Sequence, residues 1–334
     1  MLFRSPGGAE GRIYDVDCLS ATDCWAAGNN WSATSSETVL LLHWNGTVWA
    51  KVAPPTLPAG ADYSGLYGVT CVTATACWAV GYGENSTLAR AIVLRWNGTA
   101  WSLSPNPTPT SGTNSDLMNV SCNSATQCFA VGRTFASPPG TSMNRLVLRW
   151  NGTAWATMST PVPTGATLTS LEDVDCAGTS ACWAVGRFSA NGVGIRRFVL
   201  QWNGSAWAIA STPLPTANTE TALRGVNCIT AVNCWTVGTS TVDGIVFPFF
   251  VRLGAPFDPD VRAEIDREHL DTYGTFARLE DAFVDFANRV PFHGLVVACV
   301  DDPMLAAVLP RVTRRVVTYG LSAGAVFSAS DVST

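Results

Sequence analysis

Apolar and polar positions alternate along most of the first 253 residues with the period of two expected of half-buried strands, and the same short strands return about every 52 residues. The pattern is sharpest at Trp-Asn-Gly-Thr/Ser-x-Trp, found at Trp44–Trp49, Trp96–Trp101, Trp150–Trp155 and Trp202–Trp207. Asn-Gly is the strongest short-range hairpin signal, because both central residues of a type I′ turn need positive φ. With Asn45-Gly46 as a two-residue loop, Trp44 is expected opposite Thr47 and Leu42 opposite Trp49. Leu42, Trp44 and Trp49 then share one face, which needs a second layer to cover it.

Each period reads as four antiparallel strands. The first is typified by Leu66–Cys71, matched by Ile13–Cys18, Leu117–Cys122, Leu171–Cys176 and Leu223–Cys228. A short Ser/Thr/Ala turn leads to the second, as in Cys77–Gly81 and Cys182–Gly186. A Gly/Ser/Asn-rich loop precedes the third, such as Ile92–Trp96. The fourth comes after Asn-Gly and ends near Pro105, Pro161 or Pro213, where a missing N–H is tolerated. The predicted fold is mainly β, a five-repeat β-propeller of four-stranded antiparallel blades. The fifth repeat has Leu253 in place of the hairpin tryptophan and no Asn-Gly after it. Residues 2–6, Leu-Phe-Arg-Ser-Pro, are expected to supply its fourth strand and close the ring; the rival reading is an open part of a longer array.

Ten of the eleven cysteines fall in five C-x5-C pairs: Cys18 with Cys24, Cys71 with Cys77, Cys122 with Cys128, Cys176 with Cys182, and Cys228 with Cys234. Even pairs of this kind predict disulfides in an oxidising compartment, and a zinc reading lacks a second pair or a histidine beside each. Each bridge would staple the first two strands of its own repeat. Cys299, inside an apolar run, reads as a buried strand cysteine. No apolar leader is seen at Met1–Pro6, and no stretch reaches the length of a membrane helix, so the compartment is left open between extracellular or periplasmic and cytoplasmic. The formal charge of -5 offers no basic stripe for nucleic acid or an anionic membrane. Asn45, Asn97, Asn151 and Asn203 fit the glycosylation pattern but are already explained as turn residues. His43 reads as a polar strand residue beside the Arg95, Arg149 and Gln201 of other repeats.

These repeats resemble the Cys/Trp-rich repeats of exported bacterial proteins and, more distantly, the Asp-box hairpins of sialidase-like propellers. Their recurring residues are apolar, aromatic or turn-forming, and no cluster of Asp, Glu, His or Arg recurs where chemistry could be assembled.

At Gly254-Ala255-Pro256 the period stops. Residues 1–256 carry 26 charged side chains, about a tenth of that stretch, whereas 257–334 carry 19, about a quarter, and all thirteen tryptophans lie at or before Trp235. Phe276, Leu279, Ala282, Phe283, Phe286 and Val290 predict an amphipathic helix over 275–290, stopped by Pro291. Gly294–Val300 reads as a parallel strand, Asp302-Pro303 as the cap of a short helix through Leu309, and Arg315–Tyr319 as the next strand. The domains predicted are 1–253, the repeats, and 254–334, a small α/β segment.

Glu268–Gly274, Phe283–Phe292, Cys299–Pro303, Leu309–Arg311 and Thr318–Gly320 resemble the central domain of UDP-N-acetylmuramate–L-alanine ligase, of the Mur ligase family. The resemblance implies ATP and magnesium as cofactors, and UDP-N-acetylmuramate and L-alanine as substrates joined through an acyl phosphate. It gives His269 the role of magnesium ligand; Glu268, Asp271, Asp301 and Asp302 are expected to be solvated or capping carboxylates, and His293 has no evident partner. Glu264 stands where the family has asparagine. No G-x-x-G-K-[ST] phosphate loop occurs, and the sole lysine, Lys51, lies in the first repeat.

The expected protein is therefore a chimera, a propeller binding or scaffold module with an unknown ligand joined to a truncated ligase-like segment without activity. The alternatives are a cell-wall ligase and a junction of two unrelated gene pieces.

Overall fold

The computed structural model describes residues 11–31, 37–57, 63–85, 88–107, 113–136, 142–190, 194–210, 220–242, 245–253, 276–288, 296–301, 303–320 and 325–328. Residues 2–6, Glu264, Glu268, His269, Asp271, His293 and Asp302 lie outside this set. The chain divides into two compact bodies, Met1–Pro213 with Asn218–Gly254, and Leu214–Ala217 with Ala255–Thr334.

The first body is a run of antiparallel meanders. Repeat 1 comprises β1 (Gly11–Ser20), β2 (Asp23–Trp31), β3 (Glu37–Trp44) and β4 (Trp49–Val52). Repeat 2 comprises β5 (Tyr63–Thr73), β6 (Ala76–Glu84), β7 (Ala89–Trp96) and β8 (Trp101–Leu103). Repeat 3 comprises β9 (Asn114–Ser124), β10 (Gln127–Phe135), β11 (Met143–Trp150) and β12 (Trp155–Thr157). Repeat 4 comprises β13 (Ala166–Gly178), β14 (Ala181–Ala190), β15 (Gly194–Trp202) and β16 (Trp207–Ile209). Repeat 5 has three strands among the described residues, β17 (Glu220–Thr230), β18 (Asn233–Val242) and β19 (Ile245–Leu253).

All five predicted disulfides are formed: Cys18 to Cys24, Cys71 to Cys77, Cys122 to Cys128, Cys176 to Cys182, and Cys228 to Cys234. Each joins residues directly opposite in the first hairpin of its repeat. The second cysteine of each pair, Cys24, Cys77, Cys128, Cys182 or Cys234, is the buried member, whereas its partner on the first strand is half-buried or exposed.

The Trp-Asn-Gly hairpin differs from the two-residue loop expected. Trp44 pairs with Trp49, and Leu42 with Lys51, across a four-residue loop, Asn45–Val48. Gly46 takes positive φ, at 92°. The reason is an Asx turn: Asn45 Oδ1 accepts from Thr47 N, Thr47 Oγ1 and Val48 N at 3.0, 2.8 and 3.0 Å. The asparagine caps the loop with its side chain, and the Thr/Ser two residues on is the second donor. Asn97, Asn151 and Asn203 repeat the arrangement. Each hairpin is then tied to the disulfide-bearing turn, for Trp44, Trp96, Trp150 and Trp202 donate Nε1–H to the carbonyls of Ala21, Ala74, Ala125 and Thr179.

Repeats are held together by aromatic insertion. Trp25 of repeat 1 packs on Trp96 and Trp101 of repeat 2 at 4.8 and 5.1 Å. Trp78 meets Trp150 and Trp155 of repeat 3, and Phe129 meets Trp202 and Trp207 of repeat 4, at 4.6 to 5.3 Å. Where repeat 5 has Leu253 instead of tryptophan, Trp183 shares a core with Leu253, Val251 and Leu223. Near the first strands, carboxylates latch onto the next repeat's backbone. Asp15 and Asp17 accept from Val69 N and Cys71 N at 2.8 and 2.7 Å; Asp173 and Asp175 accept from Val226 N and Cys228 N at 2.7 Å. Such charge-assisted bonds are stronger than neutral ones and fix the register between repeats.

The second body holds α1 (Phe276–Asn288), β20 (Val296–Cys299), α2 (Pro303–Val308), a 3-10 turn (Leu309–Arg311), β21 (Val316–Gly320) and β22 (Phe327–Ser328). Its strands are parallel, with α2 in the crossover from β20 to β21, as the apolar run implied. Val284 and Ala287 are buried on α1. Asn288 closes the helix end, its Oδ1 accepting from Thr313 N and Oγ1 at 2.7 and 2.9 Å. Arg311 pairs with Asp281.

Candidate functional site

One irregularity occurs at the same register in every repeat. Between the residues of the first strand paired with the Gly of the second and with the Val or, in repeat 1, Ala27 before it, one residue is left without a partner: Tyr14, Tyr67, Met118, Glu172 and Arg224. A bulge kinks the strand and re-aims the extra side chain. Glycine opposite is the cause: a Cβ on Gly81, Gly132, Gly186 or Gly238 would stand 2.0 to 2.2 Å from a carbonyl oxygen of the first strand. Two further positions lie beside each bulge, toward the second-to-third-strand loops. They are the register pairs Arg12 with Asn29, Gly65 with Tyr82, Asp116 with Arg133, Ser170 with Arg187, and Ala222 with Thr239.

These positions form a chemically graded arc. Tyr14 meets Tyr67 edge-on at 5.2 Å, and Tyr67 stacks on Tyr82 at 5.5 Å. The Tyr82 hydroxyl donates to Glu37 Oε2 at 2.8 Å. In repeat 3 the Arg133 guanidinium grips Asp116 through two nitrogens at 3.1 to 3.2 Å. Glu172, its side chain only 8% exposed, accepts from Ser170 Oγ at 2.9 Å and lies 3.6 and 3.7 Å from Arg187 and Arg224. Arg187, Arg224, Glu220, Thr221, Thr239 and Thr241 line a cleft of about 90 Å³ between repeats 4 and 5. Asn29 Oδ1 is buried and has no hydrogen-bond partner among the described residues.

The electrostatics stem from burial. Desolvation, with the charge of Asp116 beside it, pushes the Tyr67 phenol up to about 12. Tyr82 is raised by burial and by its bond to Glu37, so both phenols stay protonated donors. Burial raises Asp116, and Arg133 pulls it back. Beneath the arc, burial pushes Asp173 up to about 7 against the pull of two backbone N–H groups, with the charges of Asp15 and Asp175 adding to the rise. Half-buried or exposed phenols and guanidiniums beside the buried Asp116 and Glu172 side chains can bind and orient a polar ligand.

The residues singled out in the sequence fall elsewhere. The ten paired cysteines are staples within repeats, each held in a disulfide. His43 does more than fill a strand: its Nε2 lies 2.8 Å from Asp23 Oδ1, and its ring packs on Trp25 at 4.5 Å. Cys299 is in β20 but half-buried, not buried, because it ends the strand. Among the described residues no group of three or more His, Cys, Asp or Glu could hold a metal ion. Lys51, the sole lysine of the sequence, stands exposed in β4. Recurrence of chemical groups does not reveal the arc. Its signal is the opposite: a position that varies, as Tyr, Tyr, Met, Glu and Arg, framed by repeating ones.

The fold of the first body is that of propeller-type repeat proteins. Solved structures similar to it include a polysaccharide lyase, an ulvan lyase, with TM-score 0.54 and 10% identity over 75% of this chain and 66% of that one. A protein of unknown function from Dyadobacter fermentans gives TM-score 0.50 and 11% identity over 75% and 78%. At these identities the likeness concerns the fold alone. Residues 251–334 match the Mur ligase middle domain. Over 67 residues the chain is 61% identical to the UDP-N-acetylmuramate–L-alanine ligase of Acidobacterium capsulatum, and over 72 residues 54% identical to that of Sorangium cellulosum. These stretches are 20% and 22% of this chain, which spans about 15% of the length of either relative.

Proposed function

We propose that the protein is a binding module whose ligand site is the arc of bulged residues, and that its Mur-like segment does not catalyse ligation in this chain. The observation that carries the first part is the bulge itself, one backbone device used five times to present five side chains. Solvated positions also vary between repeats, but Asp116 is a buried charge and the Glu172 side chain is nearly one, and such groups are costly unless they serve a purpose. A stacked tyrosine shelf beside paired arginines and carboxylates suits a ligand with a flat apolar face, hydroxyls and a carboxylate, the chemistry of an acidic glycan. The disulfides support work in an oxidising compartment.

Titration calorimetry with uronic-acid oligosaccharides tests this: Tyr67→Ala and Arg224→Ala should each weaken binding by about tenfold or more. Unchanged affinity in both variants would remove the arc from the site. The ligase reading rests on the 61% identity over 67 residues. It requires phosphate release that depends jointly on ATP, magnesium, L-alanine and UDP-N-acetylmuramate; we expect none. For the reading of residues 1–253 and 254–334 as pieces of different genes, sequencing source DNA across codons 245–265 is decisive.

A further inference from the structure

Arg12, Arg133, Arg187 and Arg224 belong to the arc, and they differ in what already occupies them. Arg12 lies over the Trp31 ring at 4.6 Å. Arg133 spends Nε and Nη2 on Asp116, at 3.1 to 3.2 Å. Arg187 and Arg224 approach only Glu172, at 3.6 and 3.7 Å, which is ion pairing beyond the reach of a hydrogen bond. Among the described residues neither of these two guanidiniums donates a hydrogen bond, so both keep their forks of N–H donors.

Both also line the cleft of about 90 Å³ between repeats 4 and 5, where Glu220 is the single acidic residue beside them and Thr221, Thr239 and Thr241 supply hydroxyls. The lining therefore carries two cations against one anion. Behind the arginines the Glu172 side chain is 8% exposed, and it accepts a hydrogen bond from Ser170 Oγ at 2.9 Å. A buried carboxylate with one neutral donor depends on the two guanidiniums for its charge balance, and it draws both toward itself.

We propose that the cleft is the carboxylate subsite of the arc: Arg187 and Arg224 grip one acidic group of the ligand, and Glu172 is the positioning residue that holds both guanidiniums without consuming their donors. This rests on the reading of the arc as a glycan site, and it assigns the acid to repeats 4 and 5 rather than to the tyrosine shelf of repeats 1 and 2. Pairing of arginine with a carboxylate is planar and bidentate, so two forks converging on one cleft give direction as well as strength. Glu220 and the threonines are left for the hydroxyls beside the acid.

Calorimetry on the oxidised full chain with two probes tests this: an oligosaccharide of uronic acids, and the same oligosaccharide with its carboxylates reduced to primary alcohols. Wild type should prefer the acidic probe by about tenfold or more, the size expected for lost charge-assisted hydrogen bonds. Arg224→Ala, which leaves Arg187 to balance Glu172, should cut that preference to about threefold or less, because both changes remove one interaction. Tyr67→Ala should weaken both probes and leave the preference intact. Glu172→Gln removes a negative charge beside the cleft, so long-range attraction alone would strengthen binding of the acidic probe; with the arginines released, the preference should fall instead. Native circular dichroism in each variant separates these effects from unfolding, and Arg187→Ala repeats the test at the second guanidinium. A preference that survives both arginine variants overturns the subsite, and one that holds or rises in Glu172→Gln overturns the role of Glu172. Equal binding of the two probes, with Tyr67→Ala weakening both, overturns the subsite and leaves the arc standing. Binding of neither probe removes both.

Discussion

Trp183 and Trp235 stand in the same sequence setting, Trp183 just after Cys182 and Trp235 just after Cys234, yet one is almost fully buried and the other half open. The difference lies in the next element of the chain. Repeat 4 is succeeded by a repeat whose Leu223, Val251 and Leu253 cover Trp183, while repeat 5 is succeeded by an α/β body with no hairpin of the Trp-Asn-Gly type. In a repeat array a residue's burial is a property of its neighbour, and stability is a sum over interfaces.

The largest test of the comparison is reduction of the disulfides. Closing so short a loop contributes about 2–3 kcal/mol at best. Five bridges acting within repeats should make thermal unfolding of the first body strongly sensitive to dithiothreitol, while the second body, with none, should melt unchanged. Near-equal shifts in both, monitored by separate tryptophan and far-ultraviolet signals, would contradict it.

Next is the tryptophan pair. Trp78→Ala empties a slot between Trp150 and Trp155 and should cost about 3–5 kcal/mol, whereas Trp235→Ala, at a side chain already 48% exposed, should cost about 1 kcal/mol. Urea midpoints of the two variants decide it, and equal losses would mean that repeat 5 is covered after all.

The carboxylate latch gives a pH test of similar or smaller size. Asp173 sits at about 7 in the folded protein against about 3.9 unfolded, so the folded state binds the extra proton. Its contribution is complete below the unfolded value and is lost as pH rises through about 7. The shift corresponds to an upper bound of ~4 kcal/mol. Unfolding free energy should therefore fall between pH 4 and 8, and Asp173→Asn should flatten the slope; an unaltered slope in the variant would assign it to other groups. The Asp15 carboxyl, also raised by burial, acts in the same direction.

The smallest effect is at the hairpin. Thr99→Val removes one donor to Asn97 Oδ1 and should cost about 1 kcal/mol. The same change at Thr47 should match it, since the turn is local and independent of which repeats flank it.

The periodicity of Cys, Trp and Asn-Gly made the repeats, their strands and the five staples legible in the sequence, because these depend on contacts a few residues apart. The parallel strands and helices of the second body were legible for the same reason. The hairpin register was not: Asn-Gly suits two turn geometries, and the hydroxyl of Thr47 selected the wider one by bonding to Asn45.

The candidate site was invisible as a constellation, although every member was in view, since Tyr14, Tyr67, Glu172 and Arg224 are separated by about fifty residues or more. Sequence by itself determined which residue occupies each bulge, and the glycine opposite determined that a bulge forms. Only the tertiary structure decided that five bulges line one arc, that Glu172 lies between two arginines, and that Trp235 faces outward. Those outcomes depend on how one repeat packs against the next, and no local pattern carries that information.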